Sequence, residues 1–370
     1  MKNIVIINQT TGYLTEDIAE AYVKEDFQVT LLSSQFTKNE LFLPYKVIHI
    51  TPYDRSSILK RIKSWWNAYQ EIKKYLNKID KKTKILYFSN PPFSYFASKK
   101  LKNPFSIVLY DLYPDALNNI RCPEFIKKYW ASQNKKIFPK ADKIYTLSEG
   151  MKKEIENYCE ANNIKVIPLW VNQENPVIVP ENENKFLLEN GIKNKFIILY
   201  SGNMGLTHNL EPLIEVARQL KDNKEIMFVF IGEGGKKQKL IELSQSFGLE
   251  NCRFYPYLPE EDLKYSLSGA DIGVVSVSKD TANISVPSKT FNLLSYHIPI
   301  LALSPEASEI NALITKYGCG KVFNGQDIYA IKDWILKCVK EKDYFLNLRK
   351  KSFEASKDFT KENAKQFLPE

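Results

Sequence analysis

What most constrains the fold of this chain is an alternation that happens twice. Short β-branched runs separated by longer segments of helical period fill residues 3–169 and then begin again at residue 196. Such alternation belongs to βαβ units, in which crossover helices cover a parallel sheet. The strand candidates of the first half are residues 3–8, 28–34, 46–51, 84–89, 105–111, 143–148 and 165–169. Those of the second half are residues 196–201, 227–232, 252–255, 271–276, 298–303 and 320–323. Between the halves, residues 172–194 concentrate Asn, Glu and Pro, the composition of a solvated connector with a short helix inside it. Residues 327–342 and 343–367 read as two charged helices with an apolar stripe through Trp334, Ile335, Val339, Phe345 and Leu346. The pattern predicts an α/β chain of two doubly wound domains, residues 1–172 and 173–342, with a C-terminal helix at 343–370 packing back on the first.

Composition excludes several classes. With 370 residues, 44% apolar and 26% charged, the chain has enough core for two domains and is neither disordered nor fibrous. Its five cysteines are scattered, with no C-x-x-C pair and no His at zinc-ligand spacing, which fits a reducing cytosol better than a disulfide scaffold. The opening apolar run is too short for a signal peptide, and no stretch approaches the roughly 20 apolar residues of a membrane span, so any membrane contact is expected to be peripheral. The net charge of +9 is uneven: residues 1–170 hold 27 basic and 17 acidic side chains, residues 171–370 hold 25 and 26. A positive first half suits nucleic acid, anionic lipid or a phosphorylated substrate, and charge alone does not choose among them.

Three motifs carry chemistry in the second half. In residues 200–220 an apolar strand runs into a turn with Gly202, Asn203 and Gly205 and then an amphipathic helix. Glycines let the backbone approach a ligand, and free N–H groups with a helix dipole favour phosphate; a plain strand-to-helix turn is the alternative. His208 caps the turn, contacts phosphate or is an ordinary surface residue. G-x-G-x-x-G is absent, against a dinucleotide oxidoreductase. Residues 230–240 repeat the strand-glycine-helix pattern with Glu233 in the turn; Lys236, Lys237 and Lys239 read as a solvated helix face. The bend at 255–259, containing Tyr257, presents backbone groups suited to a base. In residues 286–303, Pro287 and Ser288 fit a helix N-terminus and Lys289 adds a cation to its first turn. A lysine there opposes the helix dipole, and an anion between them relieves the conflict; a surface ion pair is the alternative.

In this order, residues 200–205, the FIGEG turn, the Y-P-x-L-P bend, the S-x-A-D-I strand start, the V-P-S-K helix start and the P-I-L-A strand resemble the sugar-nucleotide-binding domain of glycosyltransferase family 4. In the first half LYDLYPDAL (109–117) and IYTLSEGMKKEI (144–155) resemble strand ends of bacterial surface-polysaccharide members. The resemblance implies a GT-B fold, two Rossmann-like domains facing a central cleft. It further implies metal-independent, retaining transfer of a hexosyl or N-acetylhexosaminyl group from a nucleotide diphosphate sugar, with no cofactor. The second domain would bind the donor and the first the acceptor. Carried over by position, Gly202, Asn203, Gly205, Ser288 and Lys289 would face the diphosphate, with Glu233 and Tyr257 near the nucleoside. Two departures stand out. Many members have two Glu separated by seven residues, where this chain has Ile284 and Asn292, so Asn292 keeps a ribose hydrogen bond without a carboxylate. Many also have a His where Tyr110 stands.

Asp111 and Asp115 bracket D-L-Y-P-D at a strand end. Asp111 is the candidate catalytic group, orienting or deprotonating the acceptor, with loop N–H groups as its competing role; Asp115 reads as a helix cap. Thr11 and Gly12, after the first strand, are candidates to border the acceptor. Finally, residues 55–84 hold ten basic and two acidic residues interleaved with aromatics. Lys60, Arg61, Lys63, Trp65 and Trp66 are the candidate contacts to an anionic membrane; the alternative packs the Trp pair on the sheet and leaves the lysines solvated. These readings imply an enzyme on the inner face of the cell membrane, adding a sugar to a glycan or lipid-linked acceptor in capsule, O-antigen, lipopolysaccharide or exopolysaccharide synthesis. A non-catalytic subunit binding a sugar nucleotide or partner is the second reading. RNA binding is a third, and the basic run has no accompanying nucleic-acid motif, so no nucleic-acid partner is expected.

Overall fold

The computed structural model describes residues 2–117, 122–172, 175–206, 208–278, 282 and 286–369. It divides into two compact units, residues 2–172 with 361–369, and residues 175–360.

The first unit holds a seven-stranded parallel sheet of β1 (Lys2–Ile7), β2 (Phe27–Ser33), β3 (Lys46–His49), β4 (Lys84–Phe88), β5 (Phe105–Leu109), β6 (Ile144–Thr146) and β7 (Ile164–Val166), in the order β3-β2-β1-β4-β5-β6-β7. The second holds β8 (Phe196–Ser201), β9 (Ile226–Ile231), β10 (Cys252–Tyr255), β11 (Ile272–Ser276), β12 (Ile300–Leu303) and β13 (Gly320–Phe323), ordered β10-β9-β8-β11-β12-β13. Every strand candidate of the sequence is found, with ends moved by at most three residues. The central strands are buried along their length, as β9 with IMFVFI shows, because helices cover both faces of a parallel sheet. In each unit the strand order reverses beside the first strand, between β1 and β4 and between β8 and β11. Ligands of such sheets bind at the carboxyl ends of the strands flanking the reversal.

Helix α1 (Tyr13–Lys24) follows β1, and α2 (Ile58–Leu76) follows β3. The latter starts where Ser57 accepts the Lys60 N–H, and it buries Trp65, Ala68, Ile72 and Leu76 at three- and four-residue spacing. Helices α3 (Glu124–Ile137) and α4 (Glu149–Ile155) follow β5 and β6, and α5 (Lys185–Glu189) lies in the connector. The second unit continues with α6 (Glu211–Gln219), α7 (Lys237–Ser246), α8 (Leu263–Ser268), α9 (Lys289–Ser295), α10 (Glu309–Tyr317), α11 (Ile328–Lys340) and α12 (Lys342–Ser356).

The C-terminal segment differs from the expectation for 343–370. Helix α12 packs on α9, α10 and α11 of the second unit. Only the 3-10 segment Lys361–Phe367 belongs to the first, where Lys361 pairs with Asp17 at 2.8 Å and Glu20 at 2.9 Å, and the Tyr22 hydroxyl donates to the Phe367 carbonyl at 2.6 Å. The apolar stripe read for both helices explains this: Trp334 and Ile335 join the second core, and Phe345 packs, tilted, against Phe196 of β8.

Candidate functional site

Two loops meet at the carboxyl end of the second sheet. After β8 the chain turns at Gly202 (φ 142°), and after β9 at Gly232 (φ 136°) and Gly234 (φ 143°), conformations that side chains other than hydrogen rarely adopt. A Cβ on Gly232 would lie 2.0 Å from the Gly202 carbonyl oxygen, so the turns touch backbone to backbone. The Met204 N–H donates to the Glu233 carbonyl at 2.7 Å and the Lys236 N–H to the Met204 carbonyl at 2.9 Å. The N–H groups of Asn203 and Gly205 have no partner among the described residues.

Lys289 reaches this turn from the start of α9, so it comes from the other strand of the reversal, β11. A Cβ on Gly202 would lie 2.9 Å from its Nζ, which stands 3.9 Å from the centre of the Tyr200 ring. The ammonium is buried and has no hydrogen-bond partner among the described residues. Burial pushes its pKa down to about 8, against the attraction of the ring face beneath it. Keeping it charged therefore costs on the order of 3 kcal/mol in the unliganded chain. His208 stands nearby with Nδ1 also buried and unpartnered; burial first, and then the Lys289 charge, hold its pKa below the usual value. A desolvated cation facing open backbone donors is a receptor for an anion.

Several expectations change here. Helix α6 begins at Glu211, well beyond Gly205, and its N-terminus is occupied by its own Glu211 carboxylate, which accepts the Leu210 N–H at 3.2 Å and pairs with Lys236 at 3.0 Å and Lys239 at 3.3 Å. The turn therefore offers its own N–H groups and Lys289, without the dipole of that helix. Lys236 and Lys237 are largely covered clips rather than a solvated face: Lys236 also donates to the His208 carbonyl at 2.8 Å, and Lys237 pairs with Glu233 at 2.7 Å. Glu233 is thus held at the mouth of the turn. Tyr257 is exposed, with its ring edge 3.3 Å from a Cβ on Gly232. Ser288 and Asn292 are exposed on the first turn of α9, and the Ser288 side chain makes no capping bond. Ile284 lies outside the described residues. Sequence reasoning missed Tyr200 beneath Lys289, because no local pattern links residues 89 positions apart.

In the first unit, Asp111 follows β5, and its N–H and that of Tyr110 point to the Ser89 hydroxyl after β4, at 3.3 and 3.2 Å. Its carboxylate has no partner among the described residues, contrary to the reading in which it serves loop N–H groups. It reaches solvent, while the protein around it raises its pKa above the usual carboxylate value. Asp115 accepts the Tyr158 hydroxyl at 3.1 Å. Thr11 is buried, its hydroxyl turned to Ser33 and the Asn8 carbonyl, so it shapes the loop after β1 and does not present that hydroxyl outward. Gly12 opens α1, and a Cβ there would meet nothing within 4 Å. Of the membrane candidates on α2, Lys60, Lys63 and Trp66 are exposed and Arg61 is partly covered. Trp65 is buried, 5% exposed and stacked on Tyr53 at 5.8 Å, so it cannot lie at a headgroup surface; it is a core anchor. Among the described residues no helix is long and apolar enough to cross a membrane, and no group of three or more His, Cys, Asp or Glu is placed to hold a metal ion.

Two Rossmann-like units, one with an unpaired cation at its strand-order reversal, define the GT-B class of glycosyltransferase fold. The chain belongs to glycosyltransferase family 4: the profile described as Glycosyltransferase Family 4 matches residues 12–175, and that described as Glycosyl transferases group 1 matches residues 182–358. It is 34% identical over 158 residues to WcaI of Escherichia coli (strain K12), named for glycosyl transfer in colanic acid biosynthesis, covering 42% of this chain and 38% of that protein. It is 25% identical over 189 residues to WbjE of Pseudomonas aeruginosa, named for glycosyl transfer, covering 50% and 46%. The matches thus span less than half of either relative. Its fold is similar to that of Anabaena Alr3699/HepE, solved with UDP and glucose, with a TM-score of 0.70 at 15% identity over 99% of this chain and 98% of that one.

Proposed function

We propose that the chain transfers a hexosyl or N-acetylhexosaminyl group from a nucleotide diphosphate sugar to a lipid-linked glycan acceptor, with retention of anomeric configuration and without a metal or other cofactor. The observation that carries this reading is the Lys289 ammonium, buried, unpaired and set against Gly202. A leaving diphosphate develops negative charge, and a preorganised cation beside free N–H groups stabilises it without reorganisation. In this reading the second unit holds the donor: Lys289, Ser288 and the turn with Gly202, Asn203 and Gly205 take the diphosphate, Asn292 the ribose, and Glu233 and Tyr257 the nucleoside. The first unit holds the acceptor, with the unpaired Asp111 carboxylate taking up or orienting its hydroxyl and Gly12 at the border. Similarity to WcaI favours surface-polysaccharide synthesis. Exposed Lys60, Lys63 and Trp66 favour contact with the inner face of an anionic membrane.

The test is calorimetric titration with a panel of nucleoside diphosphates and their nucleosides, followed by a donor-hydrolysis assay. We expect diphosphate-dependent binding and slow hydrolysis of a matching donor. Binding without hydrolysis or transfer would make the chain a sugar-nucleotide-binding subunit, and no diphosphate binding would overturn the donor site itself.

A further inference from the structure

The first unit carries an apolar trough that the reaction described above leaves unused. Its wall is the outer side of α2, where Ile58, Ile62, Trp66 and Tyr69 recur at helical spacing, with the buried Leu76 closing its far end. Its opposite wall is α3, with Ile126 and Tyr129, and Phe93 and Phe96 lie between. The trough follows α2 from Ile58 to Asn77, about 28 Å at the rise of a helix. Its volume is about 790 Å³. A cavity of that volume and length is narrow, of a size that encloses most of a small ligand's surface. Ile62 is 52% exposed, Leu59 beside it 81% and Phe125 on the facing helix 73%.

Charge tells what kind of apolar ligand fits. Four cations line the trough, Arg61, Lys73, Lys99 and Lys100, and no carboxylate does. None of the four forms an ion pair among the described residues. The Arg61 Nε is buried without a partner. The Lys99 ammonium stands 4.5 Å from the Phe96 ring centre and 5.9 Å from that of Tyr129, and burial together with nearby Lys136 depresses its pKa. A purely apolar partner would leave these cations against hydrocarbon, and a nucleic acid would leave the apolar walls unfilled, whereas a phosphate-bearing hydrocarbon chain answers both the walls and the cations.

We propose that this trough binds the single hydrocarbon chain of a phosphate-bearing lipid, its cations holding the phosphate. Its role as the anchor of the sugar acceptor rests on the transferase reading above; the binding itself does not.

The test uses the full chain and decyl phosphate below its micelle concentration, with decanol and inorganic phosphate as comparisons, followed by calorimetry. Decyl phosphate is expected to bind at least tenfold more tightly than either. Ile62→Glu places a carboxylate in the trough and is expected to weaken decyl phosphate at least tenfold; if that variant does not fold, Ile62→Ser is expected to weaken it about threefold. The double variant Lys73→Ala, Lys100→Ala should remove most of the preference for decyl phosphate over decanol. Unchanged affinity in the folded Ile62 variant, or decyl phosphate no tighter than inorganic phosphate, would overturn the proposal. So would binding only to anionic vesicles, which would indicate a membrane surface. Donor hydrolysis is read in parallel: decyl phosphate binding without hydrolysis would fault the transferase reading alone, and hydrolysis without decyl phosphate binding would fault the trough alone.

Discussion

The two halves of the molecule use positive charge in opposite ways. The first has a large surplus of Lys and Arg, and outside the trough, where Arg61 and Lys99 are partly desolvated, exposed cations such as Lys60 and Lys63 are stabilised by water and contribute little by position. The second has no surplus, with 25 basic against 26 acidic residues from 171 onward, yet it holds Lys289, the cation most strongly depressed by burial among its described lysines. Charge count therefore points at a surface, whereas desolvation without a partner points at a site. The same contrast holds within α2: Trp65 and Trp66 are neighbours in sequence, one in the core and one half exposed, and only environment separates their roles.

That pair gives the sharpest way to break the comparison. Trp65→Ala is expected to lower stability by about 3–5 kcal/mol, because it empties a buried site against Tyr53 and Tyr113. Trp66→Ala should cost under about 1 kcal/mol and weaken decyl phosphate binding instead. Denaturant unfolding of both variants measures this, and equal losses would mean that α2 does not have separate core and ligand faces. Next in size, Asp111→Asn should lower the rate of sugar transfer about 100-fold while nucleoside diphosphate affinity stays within about twofold. A parallel loss of affinity would show that the two units do not divide donor from acceptor. Smaller again is Lys289→Ala, expected to weaken nucleoside diphosphates about 10- to 100-fold, the range of a lost charge-assisted hydrogen bond, and nucleosides hardly at all. Equal losses for both ligands would remove Lys289 from the diphosphate.

How much of this was legible in the sequence varies with the range of the interaction. All thirteen strands were, because β-branched runs bounded by glycine and proline are local signals. The VPSK helix start flagged Lys289 through a local conflict between a cation and a helix terminus. What stayed hidden depends on contacts far apart in the chain. Nothing near Glu211 shows that it fills its own helix end and recruits Lys236, or that Lys237 closes on Glu233. The S-x-A-D-I stretch marks the family, yet its Asp271 accepts the Ile197 N–H at 2.8 Å at the amino end of β8, away from the carboxyl ends where ligands bind. The trough was half visible: the basic, aromatic composition of α2 was read as a membrane face, but its facing wall on α3 lies some sixty residues on.

The smallest expected effect is also the most specific, since it distinguishes a buried lysine from any exposed one. In the free chain Lys289 loses its proton near pH 8, well below the ordinary lysine value of about 10.4. A bound diphosphate favours the ammonium and raises that pKa, so binding above pH 8 must also take up a proton. Affinity should be flat in this respect below pH 7.5 and fall by about eightfold between pH 7.5 and pH 9.0. Stability of the unliganded chain should move the other way. Between about pH 8 and pH 10.4 the unfolded chain holds more protons at this residue than the folded one, so the contribution of Lys289 to stability rises with pH across that window. In the free chain burial, and then the Lys289 charge, hold the His208 pKa below the usual histidine value, so its titration lies below that of Lys289. Lys289→Arg keeps the charge throughout and should flatten the affinity profile to pH 9.0, while charge removal on α2, as in Lys60→Ala, should leave the slope intact. A profile that is flat in the unsubstituted chain would mean that the ammonium is solvated after all, and the contrast between the desolvated Lys289 and the exposed cations of α2, such as Lys60, would fall with it.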